Sequence, residues 1–191
     1  MLPQNNIAFK EWAVVCAALG SGRQTIILRK GGIDEGRDGF RVDHNEFWLL
    51  PTRFHQDPSQ LTPDAQPLWQ EIQRTQPASE TFLINWYAVV QSVFELRSES
   101  DVQRLAGLHI LSAETIQQRF HYRRPGLFVL SVRTYRIPAP YEVADSPYIA
   151  GCKSWVELPK PLSTTAAAPV LDDTAYAQQL QRIHQLVNPV A

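Results

Sequence analysis

Residues 20–33, GSGRQTIILRKGGI, constrain this chain more than any other stretch. Gly20, Ser21 and Gly22 interrupt regular structure, residues 25–28 form an apolar, β-branched run, and Arg29-Lys30 then meets a second break at Gly31-Gly32. The pattern predicts a core strand that delivers two cations to a glycine turn. Successive glycines let backbone N–H groups approach phosphate or carboxylate oxygens with no Cβ in the way, so Arg29 and Lys30 are candidate anion ligands. The same pattern also fits a hairpin end whose charges are simply solvated.

The rest of the chain supplies a frame for that strand. In residues 9–19, FKEWAVVCAAL, Trp12, Val15, Cys16 and Leu19 fall at helical spacing and the alanines favour a helix that stops at Gly20. Cys16 on its apolar face reads as a packed thiol. After a polar turn at 34–39, residues 40–50 predict two extended segments closed by Pro51, and the loop 51–56 carries Arg53 and His55. Thr62-Pro63 marks a helix start, although Pro67 argues for a later one. Residues 81–97 predict one long strand or two short ones, 101–105 a short helix, Ser112 the cap of another through Arg119, and 127–137 the clearest strand. Residues 151–158 predict a last strand.

The expected fold is α+β, with a mixed or mainly antiparallel sheet, a small barrel being one form of it, and flanking helices. Residues 1–158 read as one domain, 159–170 as a proline-rich linker, and 171–191 as a terminal helix capped by Asp172 or Asp173. Tyr176, Leu180 and Ile183 give that helix an apolar stripe suited to docking on the core or on a protein partner.

Composition narrows the partners. With 44% hydrophobic and 19% charged residues the chain is an ordinary globular one, and a net charge of −1 excludes wholesale coating of nucleic acid. No basic, apolar leader is visible and the longest apolar run, residues 12–19, is too short for a bilayer, so a cytoplasmic protein with no membrane partner is expected. Cys16 and Cys152 form no C-x-x-C pair and no disulfide framework.

Positive charge is concentrated instead. Residues 115–136 hold Arg119, Arg123, Arg124, Arg133 and Arg136 and no acid. A helix reaching Arg123 would put Arg119 and Arg123 on one face, and on the next strand Arg133 and Tyr135 share a side. Interleaved with His121, Tyr122 and Tyr135, these cations suit contact with phosphates and stacking on bases. The candidate ligand set is Arg29, Lys30, Arg53, Arg119, Arg123, Arg133 and Tyr135, with Trp48 as a second stacking ring. Pairing with acids such as Glu46, Glu80 or Glu95 is the structural alternative.

Catalytic candidates are fewer. His44, Glu46 and His55 have the side chains for acid–base or metal chemistry, and a strand would put His44 and Glu46 on one face, yet no ligand spacing such as H-E-x-x-H occurs. No metal and no cofactor is therefore expected. Cys152, beside Lys153, is a candidate nucleophile, although neighbours on a strand face opposite ways. G-x-S-x-G, P-loop and dinucleotide fingerprints are absent.

Several of these pieces carry a resemblance. Lys10-Glu11-Trp12-Ala13-Val14-Val15, Gly22-Arg23-Gln24 with Leu28-Arg29-Lys30-Gly31-Gly32-Ile33, Phe47-Trp48-Leu49-Leu50-Pro51-Thr52 with His55-Gln56, the Arg119 and Arg124-Pro125 region, and Gly151-Cys152-Lys153-Ser154-Trp155 resemble, in order, the domain-of-unknown-function 1802 family of bacterial, notably cyanobacterial, proteins. The resemblance spans about residues 8–158 and leaves out the linker and terminal helix. Residues 22–29 are also similar to the G-x-K-x-x-E-x-R motif of ASCH domains in the PUA-like superfamily, with Gln24 at the lysine and Ile27 at the acid. That similarity implies a small PUA-like barrel and RNA binding. The reading that results is a nucleic-acid or nucleotide-binding module taking RNA, DNA or a nucleotide. A metal-assisted hydrolase or nuclease acting on a phosphorylated substrate, and a protein-interaction adaptor working through the terminal helix, are the alternatives.

Overall fold

The run Phe47-Trp48-Leu49-Leu50 carries no polar residue because both of its faces are buried. Phe47 and Leu49 join one apolar cluster and Trp48 and Leu50 join the other, the period-two alternation of a strand covered on both sides. The structure, a computed structural model, describes residues 1–30, 42–53, 55–75, 81–147, 149 and 153–187. In chain order it holds β1 (Gln4–Trp12), α1 (Ala13–Gly20), β2 (Ile26–Arg29), β3 (Glu46–Thr52), α2 (Gln66–Thr75), β4 (Thr81–Leu96), α3 (Glu99–Arg104), α4 (Ala113–His121), β5 (Leu127–Ala144), β6 (Trp155–Ser163), β7 (Ala168–Pro169) and α5 (Asp173–Val187). The strands form one mixed sheet in the order β2-β5-β4-β3-β1-β6, with β7 added on β5. β1 and β3 run parallel and every other pair is antiparallel.

This sheet curls. β1 stands four places from β2, roughly 19 Å along a flat sheet at the usual strand spacing. Arg29 at the end of β2 nevertheless lies 3.6 Å from Glu11 in β1 and donates to Ser154, just before β6. Register shifts at Ile84/Trp86 and Val90/Ser92 supply the bends in the long β4–β5 hairpin. α1 packs into the larger cluster with all eight residues buried, as an apolar-all-round helix must. Gly20 ends it where a Cβ would lie 2.1 Å from the Trp86 indole.

Several elements differ from the sequence reading, each for a physical reason. Residues 9–12, expected in a helix, belong to β1: Ala8 and Phe9 alternate between the two clusters and pair with Trp48 and Leu49 of β3. The helix starts only at Ala13. Pro51 lies inside β3 rather than closing it, because the β4 ladder ends at Trp48 and one side of the strand then needs no donor. Residues 42–45 are irregular, and 40–41 lie outside the described residues. The expected linker carries the second half of β6 and all of β7. Pro159 and Pro161 are tolerated there because β6 is the last strand of the sheet, while Leu162 is buried opposite Asn5.

Other elements form as their caps dictate. Ser112 accepts the Thr115 N–H at 3.2 Å and starts α4, which stops at His121 short of Arg123. α2 begins at Gln66 after a tight turn, with Pro67 in its first turn where a missing N–H is harmless. Asp172 accepts the Ala175 N–H at 2.8 Å and starts α5, whose Tyr176 and Ile183 are buried against this chain's own core. Among the described residues no helix is long and apolar enough to cross a membrane.

Candidate anion-binding site

Glu11 is an ionisable residue only 3% exposed, held at the junction of β1 and the apolar α1. Its Oε1 accepts the Trp12 N–H at 2.7 Å and its Oε2 faces Nη1 of Arg29 at 3.6 Å. The Arg29 guanidinium lies over the Phe9 ring, 4.8 Å from its centroid, while Nη2 donates to the Ser154 hydroxyl. From α4, Arg119 lays its guanidinium 4.4 Å over the Trp12 ring and donates Nη1 to the Leu28 carbonyl at 3.1 Å. Desolvation pushes the Arg119 pKa down, the Glu11 charge opposes that, and Arg29 adds repulsion. A guanidinium stays charged regardless. Among the described residues no carboxylate comes within ion-pair distance of Arg119. Beside Phe9 the half-buried Trp155 ring stacks edge-on at 4.7 Å, and His44 meets Trp155 at 5.3 Å.

Of the sequence-predicted residues, the structure gathers Arg29, Arg119 and His44 into this one chain of contacts. Lys30, just past the end of β2, turns away from this cluster. Its ammonium donates to the carbonyls of Phe120 at 2.8 Å, Gly126 at 2.7 Å and Arg124, so its three protons tie the last turn of α4 to the loop that follows it. Arg133 and Tyr135 do share a face, but it is covered by α5: Arg133 pairs with Asp173 and lies over Tyr135 at 5.8 Å and Tyr176 at 5.2 Å. Arg123 is exposed beyond the helix end at φ 62°, over the Tyr122 ring. Arg53 and His55 are exposed in the turn after β3.

His44 and Glu46 do not share a face, because β3 begins only at Glu46. Glu46 instead holds the Met1 amine at 3.5 Å and accepts from the Leu2 N–H at 2.7 Å and the Tyr87 hydroxyl at 3.0 Å. Trp48 is fully buried and donates to the Asn5 carbonyl, so it presents no ring to a ligand. Cys152, Gly31 and Gly32 lie outside the described residues. Among the described residues no group of three His, Cys, Asp or Glu side chains is placed to hold a metal.

Glu11, Trp12 and Ser154 were not named as site residues by the sequence reading, and neither was Trp155. The available signal was Glu11 itself, a carboxylate set directly before eight apolar or small residues. The motif positions explain themselves as well. Ile27 is a core residue, and Gln24 is buried, donating to the Ile26 carbonyl at 2.7 Å and accepting the Ile110 N–H at 3.2 Å. The carboxylate beside Arg29 is that of Glu11.

Fold and site together define an α+β protein whose curled mixed sheet brings two half-buried arginines close to one buried acid. The chain belongs to the family described as a domain of unknown function, DUF1802, whose model matches residues 8–182. The match continues past residue 158 through β6 and β7 and into α5, further than the sequence resemblance reached. No curated protein matches it. Among solved structures it is similar to ASCH from Zymomonas mobilis, at 11% identity over 92% of each chain with a TM-score of 0.44. It is also similar to a serine-to-alanine mutant of that protein (12% identity, 94% of this chain and 97% of that one, TM-score 0.46) and to a tyrosine-to-phenylalanine mutant of it (13%, 92% and 95%, TM-score 0.46).

Proposed function

We propose that this chain is a nucleic-acid or nucleotide-binding module that takes a phosphate at the Arg29–Arg119 pair. The observation that carries the reading is Arg119, a half-buried guanidinium whose pKa desolvation pushes down, with no carboxylate in ion-pair range among the described residues and a second guanidinium repelling it. Such a group gains from accepting an anion, and the planar fork of arginine matches phosphate oxygens. Trp155 and His44 offer half-buried ring surface next to Phe9, so a phosphate and a base can be met together. With a net charge of −1, few phosphates are engaged at once and the salt dependence is shallow. RNA, DNA and free nucleotide all present this chemistry.

The test is fluorescence anisotropy of labelled single-stranded RNA, single-stranded DNA and duplex DNA at low and high salt, with unlabelled nucleotides as competitors. Arg119→Lys keeps the charge and removes the fork, and Arg123→Ala is the exposed control. Support is salt-weakened binding that falls roughly tenfold in Arg119→Lys, with a native circular dichroism spectrum, and stays within about twofold in Arg123→Ala. Binding that Arg119→Lys leaves unchanged, or no binding to any probe, overturns the reading.

A further inference from the structure

A cavity of about 280 Å³ opens between α3 and α4, and none of the anion-site residues lines it. Its walls are largely apolar: Val102 and Ala106 on one side, Leu111, Ile116 and Phe120 on the other. Thr62, Glu99, Gln103 and Gln117 also border it, and His109 adds an imidazole. Its Nδ1 receives the Leu111 N–H at 3.2 Å, and an amide can only donate, so Nδ1 holds the lone pair and the ring proton sits on Nε2. Among the described residues that Nε2–H has no hydrogen-bond partner. Burial, with Arg119 repelling a second proton, pushes the His109 pKa down to about 4, so the ring is neutral near pH 7.

The charge of an occupant follows from the same walls. Among the described residues no lysine or arginine lines the cavity, so a phosphate finds no counter-charge there. The one acid at its edge among the described residues, Glu99, is already engaged by His121 at 2.8 Å, which leaves little for an amine. Small-molecule sites are typically apolar clefts in which a few placed polar groups set orientation. The geometry points to a binding site for a small, neutral, largely apolar molecule of one or two rings, whose single hydrogen-bond acceptor meets His109 Nε2–H. This site stands independently of the anion site.

The experiment titrates acetophenone and ethylbenzene, which differ chiefly by one carbonyl oxygen, into the protein and follows backbone amide shifts by NMR. Saturable shifts centred on His109, Leu111, Ile116 and Phe120 are expected for acetophenone. Two variants separate cavity from donor. Ala106→Trp fills the cavity and is expected to abolish the shifts while the rest of the spectrum stays native. His109→Phe keeps a ring and removes the donor, and is expected to lower the preference for acetophenone over ethylbenzene by roughly threefold to tenfold. The proposal fails if neither molecule shifts these amides, if Ala106→Trp binds as the wild type does, or if His109→Phe leaves the preference unchanged.

Discussion

The carboxylate of Glu11 meets the guanidinium of Arg29 at 3.6 Å although their strands stand four places apart in the sheet. One ion pair therefore ties the two sides of the curl together, and it also supplies the negative charge that lets Arg29 and Arg119 sit close. Glu11→Gln keeps the shape and removes that charge. A loss of about 3 kcal/mol in urea unfolding is expected, the usual result of breaking a buried pair from one side. Inorganic phosphate is expected to stabilise the variant more than the wild type, since an anion bound only by the folded state adds to its stability. Equal stabilisation of both proteins would deny the arginines an anion-seeking role.

Gly20 and Trp86 are a second dependent pair. A Cβ at position 20 would lie 2.1 Å from two atoms of the indole, so either the ring or the end of α1 must move. Gly20→Ala is expected to cost about 2 kcal/mol. In a Trp86→Leu background the same change should be neutral or mildly stabilising, since alanine is the better helix former. A double-mutant cycle in urea reads the difference, and strictly additive costs would place the penalty elsewhere.

His109 gives the stability a pH dependence of known sign. Its folded pKa is about 4 against an ordinary 6.5, so between those values the unfolded chain binds a proton that the folded chain refuses. Stability therefore rises with pH across that window and is unaffected by this residue above it, a contribution of about 3 kcal/mol in all. His109→Asn retains an oxygen that can accept the Leu111 N–H. Urea midpoints measured at both ends of the window should differ less in the variant than in the wild type.

What the sequence made legible was whatever a local pattern decides. The β-branched and aromatic run of β4, the first part of β5 up to residue 137, the Ser112 cap and the polar–apolar rhythm of α5 were readable, because each depends on residues a few positions apart; the continuation of β5 to Ala144, across Pro138 and Pro140, was not. The first strand was not. Ala13, Ala17 and Ala18 pull residues 9–12 toward a helix, and only pairing with β3 and β6, distant in sequence, holds them extended. The site divided along the same line. Arg29 and Arg119 stood out as cations in a neutral chain, whereas the acid that joins them reaches Arg29 only through the curl of the sheet, which no local signal encodes. Lys30 misled for a related reason: it follows the last residue of β2, and its ammonium is taken up by carbonyls of α4 and the loop after it, distant in sequence.

That difference can be measured. Lys30→Met removes an ammonium that holds three carbonyls, one in the last turn of α4 and two in the loop after it. A loss of about 2 kcal/mol is expected, typical of hydrogen bonds to a charged group. Nucleic-acid affinity, read by anisotropy well below the melting transition, should stay within about twofold. A large loss of affinity with stability intact would return Lys30 to the ligand set.

The terminal helix separates charge from burial as sources of docking energy. Arg133 and Asp173 form an ion pair, but the Asp173 side chain is 89% exposed, so water screens the pair and Asp173→Asn should cost less than about 0.5 kcal/mol. Ile183, one turn from the end of the same helix, is 1% exposed within the larger apolar cluster. Ile183→Ala removes that packing and should cost about 3 kcal/mol. Urea unfolding of the two variants at low and high salt ranks the contributions: the Ile183 effect should be insensitive to salt. A comparable cost for Asp173→Asn that fades as salt rises would mean that α5 is held by its charge rather than by its apolar face.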